Sequence, residues 1–425
     1  MVRPSSSRPT VAGAAAWLVL ALSACGSGTT TTAATAASSS DAAPSPSSTP
    51  SACASTVAGT LGQVGERIYH EAATGGDVAE AVHRVQSSAA LASAIDAGNA
   101  SAARSALQAL LLDQIVRVEV LRDGHVLASA GAGPAIAPVR GSIPGIGASF
   151  VLSVQSDRDY LQVTSQVTGA QLLLLSAGSA GGTPSRTLAG TIAGPPPASV
   201  PATGALTYAG HSYQVASLMG AVYPSGALRI ALLVPASAIS CPGSLAQARV
   251  ETLGHVGERV YQEELHGASV VQVQHRLEAS SAFQRAVAAL DIAATRAAIV
   301  GFFEAHIHVV RVRVTVGSHL LVDVGGPYVL APVHGTLRLH GRVVGQFSWA
   351  IQDDAGYLKL AHLFTGAEVL MRAGGRQVEG TLTPGPASVP GRGEVSYGGH
   401  SYQAYSFNAE AFPSGALHIS LLIPD

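Results

Sequence analysis

The chain has 425 residues, of which 47% are hydrophobic and 12% are charged, and its formal net charge is −2. Lysine occurs once, at Lys359, and the arginines are scattered along the sequence. A protein that binds nucleic acid or an anionic membrane surface needs concentrated positive charge, so the composition excludes both classes of partner.

The first 24 residues are predicted to be a leader. Arg3 and Arg8 precede an almost wholly apolar run from Val11 to Leu22. That run is too short for a mature membrane span and is typical of a secretory signal peptide.

The end of the leader, Leu22-Ser-Ala-Cys25, resembles the lipobox of bacterial lipoproteins. The resemblance implies cleavage before Cys25, a lipid on its side chain and anchorage at the outer face of the cell membrane. The alternative is ordinary secretory cleavage after Ala24 with an incidental cysteine. Residues 25–52 consist almost only of Ser, Thr, Ala, Pro and Gly, so we expect a disordered tether without the apolar side chains that a core needs.

The remaining sequence contains one pattern twice. Gly62–Glu71 returns as Gly254–Glu263, and Tyr223–Ile230 returns as Phe412–Ile419. Solenoid repeats have periods of about 20–50 residues, so this pattern indicates a duplicated domain. We expect a first copy over residues 53–238 and a second over 239–425.

Each copy is predicted to begin with helices. An apolar stripe at helical spacing opens both copies, at Leu61, Val64, Ile68 and Ala72 and again at Leu253, Val256, Val260 and Glu264. The charged pairs Glu66-Arg67 and Glu258-Arg259 lie on these helices. They indicate either a solvated face or a contact between the two domains.

Strands are predicted to follow the helices. Alternating β-branched residues at 115–121 and 309–314 lead through Asp123-Gly124 and Gly317-Ser318 into a hairpin. A longer strand then places Phe347 and Trp349 on one side and Ser348 on the other.

A short helix comes next, with Asp157 or Asp354 as the predicted N-cap and Gly169 or Gly366 after its last turn. One more apolar strand and a small terminal β unit complete each copy. The fold class is therefore α+β, with helices first and an antiparallel sheet after them.

The segment from Val344 to Tyr357, together with the preceding hairpin, resembles the extracytoplasmic PAS-like sensor domains called Cache or PDC domains. The resemblance covers roughly residues 60–175 and 252–372. It implies that a small organic ligand, such as an amino acid, a carboxylate or an amine, binds over the sheet. Such domains usually belong to receptors with a cytoplasmic output. Because the sequence stops at Asp425, directly after its last strand, we expect no output domain here.

Two cysteines besides Cys25 form an even pair. Cys53 and Cys241 each stand just before the first repeated block of their copy. In an oxidising compartment this placement favours a disulfide, and two free thiols are the alternative.

The second copy is the better candidate for a ligand site. Arginines on a strand suit a carboxylate, aromatic side chains suit a pocket wall, and an aspartate suits an amine, so we expect an amino-acid-like or carboxylate ligand. The predicted site comprises Arg311, Arg313, Tyr328, Trp349, Asp353 and Tyr357. The alternatives are an edge-strand charge for the arginines and a helix cap for Asp353. The first copy has Leu152, Ala135, Glu119 and Ser156 at comparable places, which suits a filled core.

No catalytic motif stands out in the sequence, so we expect neither an enzyme nor a bound cofactor. His306 and His308 alone do not supply the three or four ligands of a zinc site, so no metal is expected. Two functions remain. One is a membrane-anchored lipoprotein that binds or senses a small molecule, and the other is a structural or protein-interaction lipoprotein of the cell envelope with an envelope protein as partner.

Overall fold

A computed structural model describes residues 50–111, 115–176, 186–224, 226–241, 243–305, 309–326, 329–412 and 415–425. The predicted leader, Cys25, almost all of the predicted tether, Tyr328 and the histidines at 306 and 308 lie outside these residues. The first helix begins at Pro50, inside the last residues of the predicted tether, where proline suits the first turn of a helix. Within the described ranges, none of the helices combines the length and the apolarity that crossing a bilayer requires.

The first copy has four helices, then a sheet, a fifth helix and a second sheet. Its helices are α1 (Pro50–Thr74), α2 (Gly76–Ser87), α3 (Ala89–Asp96), α4 (Ala100–Leu110) and α5 (Asp157–Thr168). Its strands are β1 (Arg117–Arg122), β2 (His125–Gly131), β3 (Ala135–Ile136), β4 (Val139–Ile143), β5 (Ala148–Ser153), β6 (Gln155–Ser156), β7 (Gln171–Ser176), β8 (Thr187–Gly190), β9 (Gly204–Tyr208), β10 (His211–Ala221) and β11 (Ala227–Pro235), followed by a short 3₁₀ helix (Ala236–Ala238).

The second copy repeats this order. Its helices are α6 (Leu245–His266), α7 (Ala268–Ala279), α8 (Ser281–Ala288), α9 (Ile292–Ala305) and α10 (Asp354–Thr365). Its strands are β12 (Arg311–Val316), β13 (His319–Gly325), β14 (Val329–Leu330), β15 (Val333–Leu339), β16 (Arg342–Ala350), β17 (Glu368–Ala373), β18 (Arg376–Gly380), β19 (Arg392–Tyr397), β20 (His400–Phe412) and β21 (Gly415–Pro424).

The predicted α+β class is confirmed. Each copy contains two antiparallel sheets of four or more strands, and copy 1 has an additional two-stranded sheet of β3 and β6. The first sheet has the strand order β2-β1-β5-β4 in copy 1 and β13-β12-β16-β15 in copy 2. The second sheet has the order β8-β7-β11-β10-β9 in copy 1, and in copy 2 the strands β17 to β21 pair in the same way. The terminal β unit is larger than expected, because β7 and β17 pair with its last strand instead of with the first sheet.

The helix between the two sheets begins one residue earlier than predicted. Ser156 and Asp353 are the N-caps of α5 and α10, so Asp157 and Asp354 are the first helical residues. Gly169 and Gly366 end these helices in the left-handed conformation, at φ 69° and 67°, as expected of a C-terminal glycine. The chain turns there and enters the second sheet.

One hydrophobic core is shared by the two copies. It contains the apolar stripes of α1 and α6 together with side chains of α5, α10 and both second sheets. Each first sheet has a separate core against its own short helices. Cys53 and Cys241 form a disulfide with a Cα–Cα distance of 5.8 Å, which links the start of α1 to the segment before α6.

The contacts between the copies are reciprocal. Arg67 Nη1 on α1 donates to the Phe364 carbonyl oxygen at the end of α10, at 3.1 Å. Arg259 Nη1 on α6 donates to the Thr168 carbonyl oxygen at the end of α5, at 2.5 Å. A surface patch that meets its own counterpart is the arrangement of an isologous dimer interface, so the two copies are related like two subunits.

Candidate functional site

The first sheet of copy 2 presents two different faces. Along β12, Val312 and Val314 are fully buried, while Arg311 and Arg313 alternate with them and point to the other side. The two faces therefore have separate roles. One supports the short helices, and the other carries the arginines.

Trp349 lies on the helix side of this sheet, contrary to the prediction. It pairs with Val312 across the strands and is 1% exposed, within the core that Phe283 and Phe347 also form. Directly paired residues share a face, so the sheet itself separates the indole of Trp349 from the two arginines. Trp349 is a core residue here.

Tyr357 and Asp353 each have a structural role that does not involve the two arginines. Tyr357 is fully buried in the core between the copies, and its hydroxyl donates to the Gly257 carbonyl oxygen at 3.0 Å. Burial raises the pKa of Tyr357 well above its ordinary value. Tyr160 makes the same hydrogen bond to Gly65 in copy 1, which indicates a structural role. Asp353 caps α10 by accepting from the Gly356 N–H.

Arg311 is held by its own neighbours. Its Nε and Nη2 donate to the two carboxylate oxygens of Asp323 at 2.8 and 2.9 Å, and Nη1 donates to the Gly326 carbonyl oxygen. The guanidinium also lies 4.6 Å from the ring centroid of Phe412. Such a bidentate pair orients the strand and leaves Arg311 little capacity for a ligand.

Arg313 is in a different position. Its guanidinium lies 5.3 Å from the centroid of the same Phe412 ring, and its Nε is buried without a hydrogen-bond partner among the described residues. A buried donor without a partner is unfavourable, and an arginine has five N–H donors to satisfy. Arg313 thus differs from Arg311 in having a buried donor that the described residues leave unpaired.

A row of polar side chains crosses the four strands at Arg313. The residues in register are Asp323 on β13, Arg313 on β12, Ser348 on β16 and His334 on β15. His334 Nδ1 lies 2.9 Å from Ser348 Oγ, and its Nε2 lies 3.6 Å from a carboxylate oxygen of Glu410. The row offers cationic, hydroxyl, imidazole and carboxylate groups on one partly exposed face.

Copy 1 closes the corresponding face with its own side chains. There Glu119 stands in place of Arg313, Val151 in place of Ser348 and Tyr223 in place of Phe412. The Tyr223 hydroxyl donates to Glu119 at 3.4 Å, and its ring lies 4.3 Å from the guanidinium of Arg117. Val151 and Tyr223 pack into a small apolar cluster. Each polar group thus has a partner.

The structure therefore keeps Arg311 and Arg313 of the predicted set together and adds residues that sequence reasoning missed. The additional side chains are Asp323, His334, Ser348, Glu410 and Phe412. A signal for Phe412 existed, because it aligns with Tyr223 in the repeated block. The positions of the other four depend on strand register and on the approach of β20, neither of which one sequence reveals.

Comparison with known proteins provides no family for this chain. No family model and no curated protein matches it. Among solved structures, the periplasmic domain of LuxQ from Vibrio cholerae is 11% identical with a TM-score of 0.31, and covers 41% of this chain and 100% of its own. An extracellular ligand-binding receptor from Desulfohalobium retbaense is 12% identical with a TM-score of 0.27, and covers 52% of this chain and 47% of its own.

Proposed function

We propose that this protein is an extracytoplasmic lipoprotein, anchored through Cys25, that binds a small carboxylate ligand on the arginine-bearing face of the first sheet of copy 2. In this proposal it is a binding protein without catalytic activity. The guanidinium of Arg313 binds the carboxylate of the ligand.

The observation that carries the proposal is the contrast between the two neighbouring arginines. Asp323 takes up the bidentate capacity of Arg311. Within the part of the chain that the structure describes, Arg313 has no carboxylate partner and its buried Nε is unpaired. A ligand carboxylate would satisfy that donor and form the short, charge-assisted hydrogen bonds that arginine favours.

The surroundings of Arg313 favour a small ligand with an apolar part. Phe412 is 8% exposed and contacts the guanidinium of Arg313 from one side. Because this contact already restricts the Arg313 side chain, less conformational entropy is lost when a ligand binds. Ser348 and His334 continue the row as hydrogen-bonding groups, and the half-exposed Glu410 beside His334 suits an ammonium group. An amino-acid-like zwitterion fits this order of charges.

The test is isothermal titration of the full chain with amino acids and small carboxylates. Arg313→Gln removes the positive charge but keeps a similar length, and we expect it to weaken binding by about 10- to 100-fold, because a charged hydrogen bond contributes about 1.5–3 kcal/mol. Glu119→Gln, at the corresponding place in copy 1, is the control and should bind as the wild type does.

Two results would contradict the proposal. One is equal binding by wild type and Arg313→Gln, and the other is an absence of binding by every carboxylate in the panel. The second result would favour the alternative function, a structural or protein-interaction lipoprotein of the envelope.

A further inference from the structure

Two carboxyl groups are buried where α6 packs on α10. Glu264, in the last turns of α6, is 6% exposed, and Asp354, the first residue of α10, is 5% exposed. Both carboxylate oxygens of Glu264 and Oδ1 of Asp354 have no hydrogen-bond partner among the described residues. Neither group belongs to the polar row around Arg313.

The charges that act on this pair are negative. Asp353 acts on both groups, and Glu379 on β18 acts on Asp354. Two tyrosines also surround the pair, Tyr357 on α10 and Tyr261 on α6. The Tyr261 hydroxyl accepts a hydrogen bond from the backbone N–H of Glu410 on β20. The remaining titratable groups are Glu263 and His266 at the end of α6. Unlike Asp323, which pairs with Arg311, neither carboxyl forms a salt bridge with an arginine of the described ranges.

Burial therefore favours the protonated forms. Desolvation, followed by the charges of Asp354 and Asp353, raises the pKa of Glu264 well above its ordinary value. Desolvation, followed by the charges of Glu379 and Asp353, raises the pKa of Asp354 from 3.8 to about 6. A helix N-terminus stabilises a carboxylate, but at Asp354 burial outweighs this effect.

We propose that Glu264 and Asp354 form a proton-binding pair that holds α10 against α6 while it is protonated and loosens this contact when both carboxyls ionise. The device is confined to copy 2. Copy 1 has Ala72 in place of Glu264, and Ala72 is buried in the equivalent stripe with 5% exposure. The inference is independent of the ligand proposed for Arg313.

The direction of the pH effect follows from linkage. A carboxyl that holds its proton more tightly in the folded than in the unfolded chain stabilises the fold at low pH, and this contribution is lost as the pH rises through the folded pKa. For Asp354 the loss falls between pH 3.8 and about 6. For Glu264 it begins near the ordinary carboxyl pKa of 4.5 and continues upward.

The test compares thermal unfolding midpoints of the full chain between about pH 4 and pH 8. Glu264→Gln keeps the shape of the protonated carboxyl, and Glu264→Ala reproduces copy 1. We expect the midpoint of the wild type to fall with rising pH by about 5 °C more than that of either variant. Asp157→Asn, at the copy 1 counterpart of Asp354, is the control and should follow the wild type.

A second readout locates the effect. Hydrogen exchange, corrected for the intrinsic pH dependence of the amides, should show α10 losing protection between low and high pH in the wild type and keeping it in Glu264→Gln, with α5 unchanged in both. Parallel midpoint curves for wild type and Glu264→Gln would overturn the proposal. So would a uniform loss of stability, or a failure to fold, in both Glu264 variants at every pH.

Discussion

At the scale of single residues, corresponding positions in the two copies show how one backbone accommodates different side chains. The helices α3 and α8 end in the same way, with Asn99 N–H bonded to the Ala94 carbonyl and Asp291 N–H bonded to the Ala286 carbonyl. The residue at the turn has φ 65° in copy 1, where it is Gly98, and φ 57° in copy 2, where it is Leu290. Only glycine adopts this left-handed region without strain.

We expect Leu290→Gly to stabilise the protein by about 0.5–1 kcal/mol, because it removes the backbone strain. Leu290 is also 57% exposed, so little apolar burial is lost. Chemical denaturation of the full chain measures the change. Gly98→Ala is the opposite substitution and should destabilise by a similar amount. A loss of stability in Leu290→Gly would show that its side chain makes a contact that outweighs the strain.

The side of a strand to which a residue points could be predicted from the sequence, but the pairing of one strand with another could not. Alternation along β16 correctly separated Phe347 and Trp349 from Ser348. The pairing of Trp349 with Val312 instead of with an arginine depends on cross-strand register, which no local pattern contains. This is why the predicted pocket combined side chains from opposite faces of one sheet.

At the scale of elements, the opening helices lie so close to the second sheets that glycine is required. A Cβ atom at Gly254 of α6 would overlap the ring of Tyr405 on β20, whereas at Gly59 of α1 it would meet nothing. The glycines shared by the repeated block therefore permit helix–sheet packing. Periodicity predicted that this helix face is buried, but it does not identify the sheet that covers it.

Gly254→Ala should destabilise the protein by at least about 1–3 kcal/mol, because overpacking a close contact displaces side chains or backbone. Gly59→Ala, on an exposed position of the other opening helix, should stabilise it by about 0.5–1 kcal/mol through helix propensity alone. Urea unfolding curves compare the two. Similar changes in both variants would mean that α6 can move away from β20 at little cost.

At the scale of the whole molecule, the duplication, the α+β class and the pairing of Cys53 with Cys241 were accessible from sequence. The common core was not, because each apolar stripe was assigned to its own copy. From sequence, Arg67 and Arg259 indicated either a solvated face or a contact between the domains. Their hydrogen bonds to the opposite copy show that they form a contact between the domains.

The anchor is a prediction for the whole molecule. Cys25→Ala should move the protein from the membrane fraction to the soluble fraction, because the predicted leader is too short for a mature membrane span and the lipid is the proposed attachment. Cell fractionation followed by immunoblotting measures the distribution. Cys53→Ser is a suitable control, since it removes a cysteine but leaves the lipobox intact. Retention of Cys25→Ala in the membrane fraction would remove the lipoprotein assignment.

The reciprocal contact between the copies has a consequence for how this protein can change over time. In a dimer encoded by one gene, every substitution appears in both subunits, so a charge introduced at the interface is introduced twice. Here each half has its own coding segment within one gene, so a substitution in one half does not appear in the other. Glu264 could replace an alanine in one half while the other half kept Ala72, and Arg313 could appear in one half while the other half kept Glu119 at the equivalent position. One half can therefore specialise while the other half keeps the shared structure.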